Sequence, residues 1–89
     1  MKVVWTETAI LQLTEIYDYI SRDSTKYAKR MVDRLTARTG QLSTFPNSGG
    51  NVAEYRNDCI RELIEGPYRI IYRVDPSSVM VLTRTITCN

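Results

Sequence analysis

Hydrophobic positions along the chain predict a strand, two helices and three further strands, in that order. Residues 2–5 (KVVW) are β-branched or aromatic, which is typical of a strand. Two stretches with apolar residues at helical spacing follow, and Thr6 and Ser24 stand where an N-cap hydroxyl would begin each helix. The two predicted apolar stripes are Ala9, Leu13, Ile16, Tyr17 and Ile20, and then Ala28, Met31, Val32, Leu35 and Leu42. A short polar turn between them indicates a helical hairpin.

The last third of the chain predicts an antiparallel meander. Residues 59–65, 68–75 and 79–87 are rich in β-forming side chains, and short turn signals separate them. The breaker cluster FPNSGG precedes this region. We therefore expect one two-layer α+β domain over residues 1–89, with the element order β-α-α-β-β-β.

Alternation in the middle strand of this meander predicts which face is buried. Tyr68, Ile70, Tyr72 and Val74 share one face, which we expect to pack beneath the helices. The other face, expected to point outward, carries Arg69, Ile71, Arg73 and Asp75. The same period of two places Arg61 and Glu62 on opposite faces of the preceding strand. The last strand has apolar residues on both faces, so its buried face stays open.

Composition excludes several classes of protein. The chain is 43% hydrophobic and 25% charged, which is ordinary for a globular domain. It has neither an apolar run of the ~18–20 residues that a membrane helix needs nor a signal-peptide core. Cys59 and Cys88 form no CxxC motif, and we expect free thiols. These features favour a cytoplasmic protein with no membrane partner.

The absence of histidine limits the chemistry that these residues can perform. With none in the sequence, a Ser-His-Asp triad, a Cys-His pair and a histidine-containing zinc site cannot be built from this chain. No GxxxxGK[ST] or GxGxxG segment occurs either. We expect neither a metal nor an organic cofactor.

Charge is segregated along the predicted hairpin although the net charge is only +2. Residues 6–23 carry four acidic residues against one arginine, and residues 26–38 carry five basic residues against one aspartate. Such a basic stretch either attracts polyanions or is a solvated helix face. Both interpretations stay open from the sequence.

Three segments resemble the toxins of the RelE/ParE superfamily of type II toxin-antitoxin modules. They are WTETAILQLTEIYDYI, FPNSGG and, most specifically, IRELIEGPYRIIYRV. In the last one an Arg-x-Leu strand, a glycine turn and a Tyr-Arg-Ile-x-Tyr strand follow one another as in the family. The string RELIEGPYRIIYRV is more similar to the ParE branch.

This resemblance implies a function and a set of partners. ParE-like members inhibit DNA gyrase, which is the function we favour, whereas RelE-like members cleave mRNA on the ribosome. A third alternative is an inactive member that only binds an antitoxin. In each case the resemblance implies a cognate antitoxin protein, through which operator DNA is bound. A homodimer and a toxin-antitoxin hetero-oligomer are both left open.

The resemblance also suggests candidate site residues. If the protein is a nuclease, Arg69 matches the position that contacts the scissile phosphate, with Arg73 and Glu62 as further catalytic candidates. The alternative for Arg69 is an ion pair with Glu62 or Glu65 across the hairpin. Candidates for binding the antitoxin or the target are Arg61, Arg30, Arg34 and Arg84.

The end of the sequence departs from the family pattern. The histidine that many members carry after the last strand would fall near Thr87, and the residues from Thr85 to Asn89 supply no general acid. Cleavage of RNA needs an acid for the leaving 5′-oxygen and a base for the 2′-hydroxyl. This departure weakens the expectation of a nuclease.

Overall fold

Two helices pack on one face of a five-stranded sheet. The computed structural model describes residues 1–52 and 55–86, the last three of them as backbone only. The elements are β1 (Lys2–Trp5), α1 (Glu7–Ser21), α2 (Thr25–Gly40), a 3₁₀ turn (Gln41–Ser43), β2 (Gly50–Asn51), β3 (Ile60–Glu65), β4 (Tyr68–Val74) and β5 (Ser78–Ile86). The predicted α+β fold is confirmed, and β2 is an addition to the predicted order.

The sheet has the strand order β1-β5-β4-β3-β2. β3, β4 and β5 form the predicted antiparallel meander, and β1 lies parallel to β5 at one edge. β2 pairs antiparallel with β3 at the other edge through two residues only. The two strands at the start and end of the described chain are therefore neighbours.

Both predicted N-caps begin their helices. The Thr6 hydroxyl accepts the backbone N–H of Ala9 at 3.2 Å and also contacts the Val81 carbonyl at 3.0 Å, which ties the start of α1 to β5. The Ser24 hydroxyl accepts the N–H of Tyr27 at 3.2 Å. In the described part of the chain, neither helix is long and apolar enough to cross a membrane.

The main core lies between the helices and the sheet. Its buried members are Ala9, Ile16, Leu35, Leu42, Leu63, Tyr68, Ile70, Tyr72, Val79 and Val81. The predicted inward face of β4 is thus confirmed, and Val79 and Val81 identify the buried face of β5. The prediction for Tyr17 is wrong, because its side chain stays 38% exposed at the rim of the hairpin.

A second, smaller cluster corrects the prediction for the outer face of β4. Ile71 was expected to point to solvent, but it is only 6% exposed. It packs against Val52 and Ile60, with Leu82 beside them. The segment that follows β2 therefore covers part of the sheet face opposite the helices.

Candidate functional site

The three catalytic candidates lie on the sheet face opposite the helices. Arg69 and Arg73 alternate along β4 with the core residues. Glu62 lies in β3, where it pairs with Ile71 of β4. Because Arg69 stands opposite Ile64, Glu62 is its diagonal neighbour on the same face. The alternation predicts the shared face of Arg69 and Arg73, and the register between β3 and β4 adds Glu62 to that face.

Arg69 forms an ion pair with Glu62. The guanidinium Nε donates to a Glu62 carboxylate oxygen, and the two side chains are 21% and 24% exposed. Of the two pairings considered for Arg69, the one with Glu62 is confirmed. The charge that a nuclease would aim at a phosphate is therefore balanced by a neighbouring carboxylate in this structure.

Arg73 has its own carboxylate partner. Its Nε and Nη2 donate to the two oxygens of Asp75 at 2.7 and 3.1 Å. These hydrogen bonds from Arg73 hold the pKa of Asp75 below its ordinary value of 3.8, and they raise the pKa of Arg73. The pair is a bidentate contact between Arg73 of β4 and Asp75, the residue that follows the end of that strand.

A buried apolar residue separates the two arginines of the outer face. Ile71 lies between Arg69 and Arg73 on the strand and is buried beneath Val52. Among residues 1–52 and 55–86, no three Cys, Asp or Glu side chains lie close enough together to hold a metal ion. What the face offers is two guanidinium groups, each already engaged by an acid.

Arg61 lies apart from that face. It stands opposite Tyr72, on the side of the sheet that carries the helices, as the predicted opposition to Glu62 requires. Its Nη1 donates to the carbonyl of Gly49 at 2.9 Å and lies 3.5 Å from the carbonyl of Asn47, while its Nε is buried without a partner. Arg61 therefore stabilises the turn before β2.

Tyr72 holds the same turn from within the core. Its hydroxyl donates to the Pro46 carbonyl at 2.9 Å and accepts the Gly49 N–H at 3.0 Å. Burial raises the pKa of Tyr72 above its ordinary 10.0. The alternation along β4 predicts a core position for Tyr72 but does not indicate the polar role of its hydroxyl. A buried tyrosine rather than phenylalanine, together with the FPNSGG turn, is the signal that could have indicated it.

The basic residues of α2 occupy its solvent side. Arg34 contacts Glu65 of β3 at 2.7 Å, and Arg38 contacts the same carboxylate at 3.5 Å. Arg30 lies over the ring of Tyr27, 5.7 Å from its centroid. Lys26 and Lys29, which are not among the predicted site residues, are also exposed on this side. The side chain of Arg84 and all of residues 87–89 lie outside the described residues.

Comparison of the sequence with known proteins supports the resemblance. The sequence model of the ParE toxin of the type II toxin-antitoxin system parDE matches residues 3–86. Toxin RelE2 of Caulobacter vibrioides is 35% identical over 82 residues, which cover 91% of this chain and 89% of that protein. The protein Y4kP of Sinorhizobium fredii is 32% identical over 84 residues, covering 92% and 83% of the two chains.

Solved structures share the fold. A chain of the chromosomal ParDE system from P. aeruginosa superimposes with a TM-score of 0.81 at 23% identity, covering 99% of this chain and 97% of that one. The YoeB/ParE toxin from Agrobacterium tumefaciens has a TM-score of 0.65 at 20% identity, covering 99% and 100%. The fold and sequence together define a toxin of the RelE/ParE superfamily. The chain belongs to the ParE toxin family of type II toxin-antitoxin systems.

Proposed function

We propose that this toxin inhibits DNA gyrase by binding it. The observation that carries the proposal is the match to the ParE toxin family over residues 3–86, almost the whole chain. The sequence string RELIEGPYRIIYRV, which is more similar to the ParE branch, supports the same target.

The chemistry of the outer sheet face supports inhibition by binding rather than by catalysis. Arg69 and Arg73 are paired with Glu62 and Asp75, and the sequence contains no histidine. RNA cleavage would need a base and an acid poised on either side of the phosphate. A poison that traps its target needs only a complementary surface, so it makes no such demand.

A cognate antitoxin is the second partner in this proposal. A type II toxin pairs with an antitoxin protein, and the pair is the unit that the family name describes. We propose that the antitoxin blocks access of this chain to gyrase, and that the free toxin acts in the cytoplasm, where gyrase works. Arg30 and Arg34, exposed on α2, are candidates for contact with either partner.

Ribosome-dependent mRNA cleavage is the second candidate function. The observation that favours it is the location of Arg69, Glu62 and Arg73 on one sheet face. The relative named Toxin RelE2 is consistent with this alternative. In such a nuclease Arg69 would have to leave Glu62 to contact the phosphate.

Induction of the chain in bacteria without an antitoxin separates these functions. Growth is followed together with a reporter of DNA damage, for the wild type, Arg69→Ala and the exposed-loop control Arg56→Ala. Gyrase inhibition predicts growth arrest with the reporter on in all three strains. Arrest with a silent reporter, lost only in Arg69→Ala, would establish the nuclease instead. No arrest in any strain would indicate an inactive member that only binds its antitoxin.

A further inference from the structure

The solvent side of α2 carries a continuous ridge of cations. Lys26, Arg30, Arg34 and Arg38 follow one another at four-residue intervals, so each lies about one turn, ~6 Å along the axis, from the next. Lys29 lies beside the first two members. We call Lys26, Lys29, Arg30, Arg34 and Arg38 the basic ridge.

Three members of the basic ridge have their charge free. Arg34 and Arg38 share the single carboxylate of Glu65. In residues 1–52 and 55–86, no carboxylate lies within ion-pair distance of Lys26, Lys29 or Arg30. The end of the ridge near the hairpin turn is therefore strongly positive and open to solvent.

The charges of the two helices of the hairpin are opposite in sign. The exposed acids Glu7, Glu15 and Asp18 lie on α1 and Asp23 lies in the hairpin turn, whereas α2 contributes only Asp33. Opposite charges on two neighbouring helices create a potential that orients an approaching polyanion toward α2. A random distribution of the same charges would give no such preference.

The composition of this surface fits a phosphate backbone better than a protein segment. A docked peptide helix needs apolar anchors at regular spacing, whereas a nucleic-acid backbone is bound mainly through cationic and polar side chains. A shallow depression runs along the ridge, and its apolar lining is limited to Tyr17 and Ala37. The exposed Ile10 and Leu11 of α1 do not line it.

Arg30 lies over a neighbouring aromatic ring. Its guanidinium lies over the Tyr27 ring at 5.7 Å from the centroid, which restricts the side chain without consuming its hydrogen-bond donors. A planar guanidinium with free donors can contact two phosphate oxygens at once. Lys26 and Lys29 would add point charges on either side of it.

We propose that the basic ridge binds the phosphate backbone of double-helical DNA, without reading its sequence. This inference rests on the proposed function, because gyrase acts on duplex DNA, and a toxin bound to gyrase would find such DNA beside it. In this proposal the basic ridge contacts the DNA that is bound to gyrase. This contact is separate from the binding of operator DNA through the antitoxin. Contacts between these cations and the DNA would increase the affinity of the toxin for the gyrase–DNA complex.

The test compares two variants with the same loss of charge. In one, Lys26, Lys29 and Arg30 are all changed to Gln; in the control, the exposed cations Lys2, Arg22 and Arg56 are changed to Gln. Binding of the full-length wild type and both variants to a labelled 30-base-pair duplex is measured by fluorescence anisotropy between 50 and 200 mM salt. Circular dichroism confirms that each variant is folded.

We expect the wild type to lose affinity with salt, with a slope of log K against log[salt] near −3, about 0.9 for each of roughly three phosphates. The ridge variant should lose most of that slope and bind at least ~10-fold more weakly at 50 mM salt. The control variant should keep the slope and most of the affinity. Equal losses in the two variants, or no binding by the wild type at 50 mM salt, would overturn the proposal.

A competitor and a gyrase assay distinguish the remaining outcomes. If a poly-glutamate peptide displaces the duplex at equal charge concentration, the ridge is a site for an acidic protein segment and the DNA proposal is wrong. If the wild type inhibits gyrase but binds no DNA, the inference fails while the proposed function stands. If the ridge binds DNA but gyrase is unaffected, the proposed function fails while the DNA-binding surface stands.

Discussion

The hydroxyl of Tyr72 accepts a hydrogen bond from the backbone N–H of Gly49 at 3.0 Å, inside the core. The same hydroxyl donates to Pro46 at 2.9 Å, so one buried atom satisfies both ends of the turn before β2. Arg61 donates to the carbonyl of the same Gly49 at 2.9 Å. The turn is thereby fixed to the sheet at the edge where β2 pairs with β3.

Gly49→Ala should destabilise the fold. A Cβ at this position would lie 2.4 Å from the Glu62 carbonyl oxygen and 2.5 Å from the Tyr72 hydroxyl, so the turn would have to move. We expect a loss of about 1–3 kcal/mol in the free energy of unfolding, measured by urea denaturation.

The control is Gly40→Ala at the end of α2, where a Cβ meets nothing within 4 Å. That variant should gain up to ~1 kcal/mol. Equal effects of the two substitutions would contradict the close packing at Gly49.

Tyr72→Phe should leave the Gly49 N–H buried without an acceptor, at a cost of about 1–3 kcal/mol. The difference between the wild type and this variant should depend on pH. Because burial raises the pKa of Tyr72 above 10.0, the neutral phenol stabilises the fold fully below pH 10, and this contribution is lost as the pH rises further. Unfolding measured between pH 8 and 11 should therefore show the stability gap narrowing above pH 10. A gap that widens over this range would contradict the buried neutral phenol.

The pair between Arg69 and Glu62 should contribute modestly to stability. Both side chains are partly exposed, so a double-mutant cycle of Arg69→Ala and Glu62→Gln should give a coupling of about 0.2–1 kcal/mol. The matched cycle pairs Glu62→Gln with Arg56→Ala in an exposed loop, and its effects should add. Coupling in the second cycle but not in the first would contradict the contact.

The carboxyl of Asp75 should titrate at low pH because of Arg73. The hydrogen bonds from Arg73 lower the pKa of Asp75 from 3.8, so its contribution to stability is present above pH 3.8 and is lost as the pH falls through the lowered value. NMR detection of the side-chain carboxyl should give a midpoint below 3.8 in the wild type. Arg73→Gln should raise the midpoint, whereas Arg56→Gln should leave it unchanged. An unmoved midpoint in Arg73→Gln would contradict the pair.

Most of the fold could be predicted because local signals agreed with one another. Thr6 and Ser24 cap the helices that follow them, and the apolar stripes include the buried apolar residues of α1 and α2, except that Tyr17 is exposed. Alternation along β4 gave the correct inward face. β2 could not be predicted, because Gly50 and Asn51 have no strand pattern and pair only where the edge of β3 lies alongside them.

The ion-pair partner of Arg69 depends on the register between β3 and β4, which the sequence alone did not determine. Glu65 stands opposite Tyr68 on the helix side, so only Glu62 is left as the partner of Arg69 among the two glutamates considered. The burial of Ile71 was missed for a similar reason, because Val52, the residue that covers it, is distant in sequence. Alternation located Arg69 and Arg73 on the correct face of β4, but their ion-pair partners required the three-dimensional arrangement.

Inhibition of gyrase by the purified chain is the central claim, and a supercoiling assay tests it most directly. Relaxed plasmid, ATP and gyrase are incubated with increasing toxin, in parallel with ribosomes programmed with mRNA and treated with the same protein. Inhibition of gyrase predicts a dose-dependent loss of supercoiling while the mRNA stays intact. The Arg69→Ala variant should inhibit supercoiling as strongly as the wild type. Cleaved mRNA with full gyrase activity, abolished by Arg69→Ala, would contradict this claim.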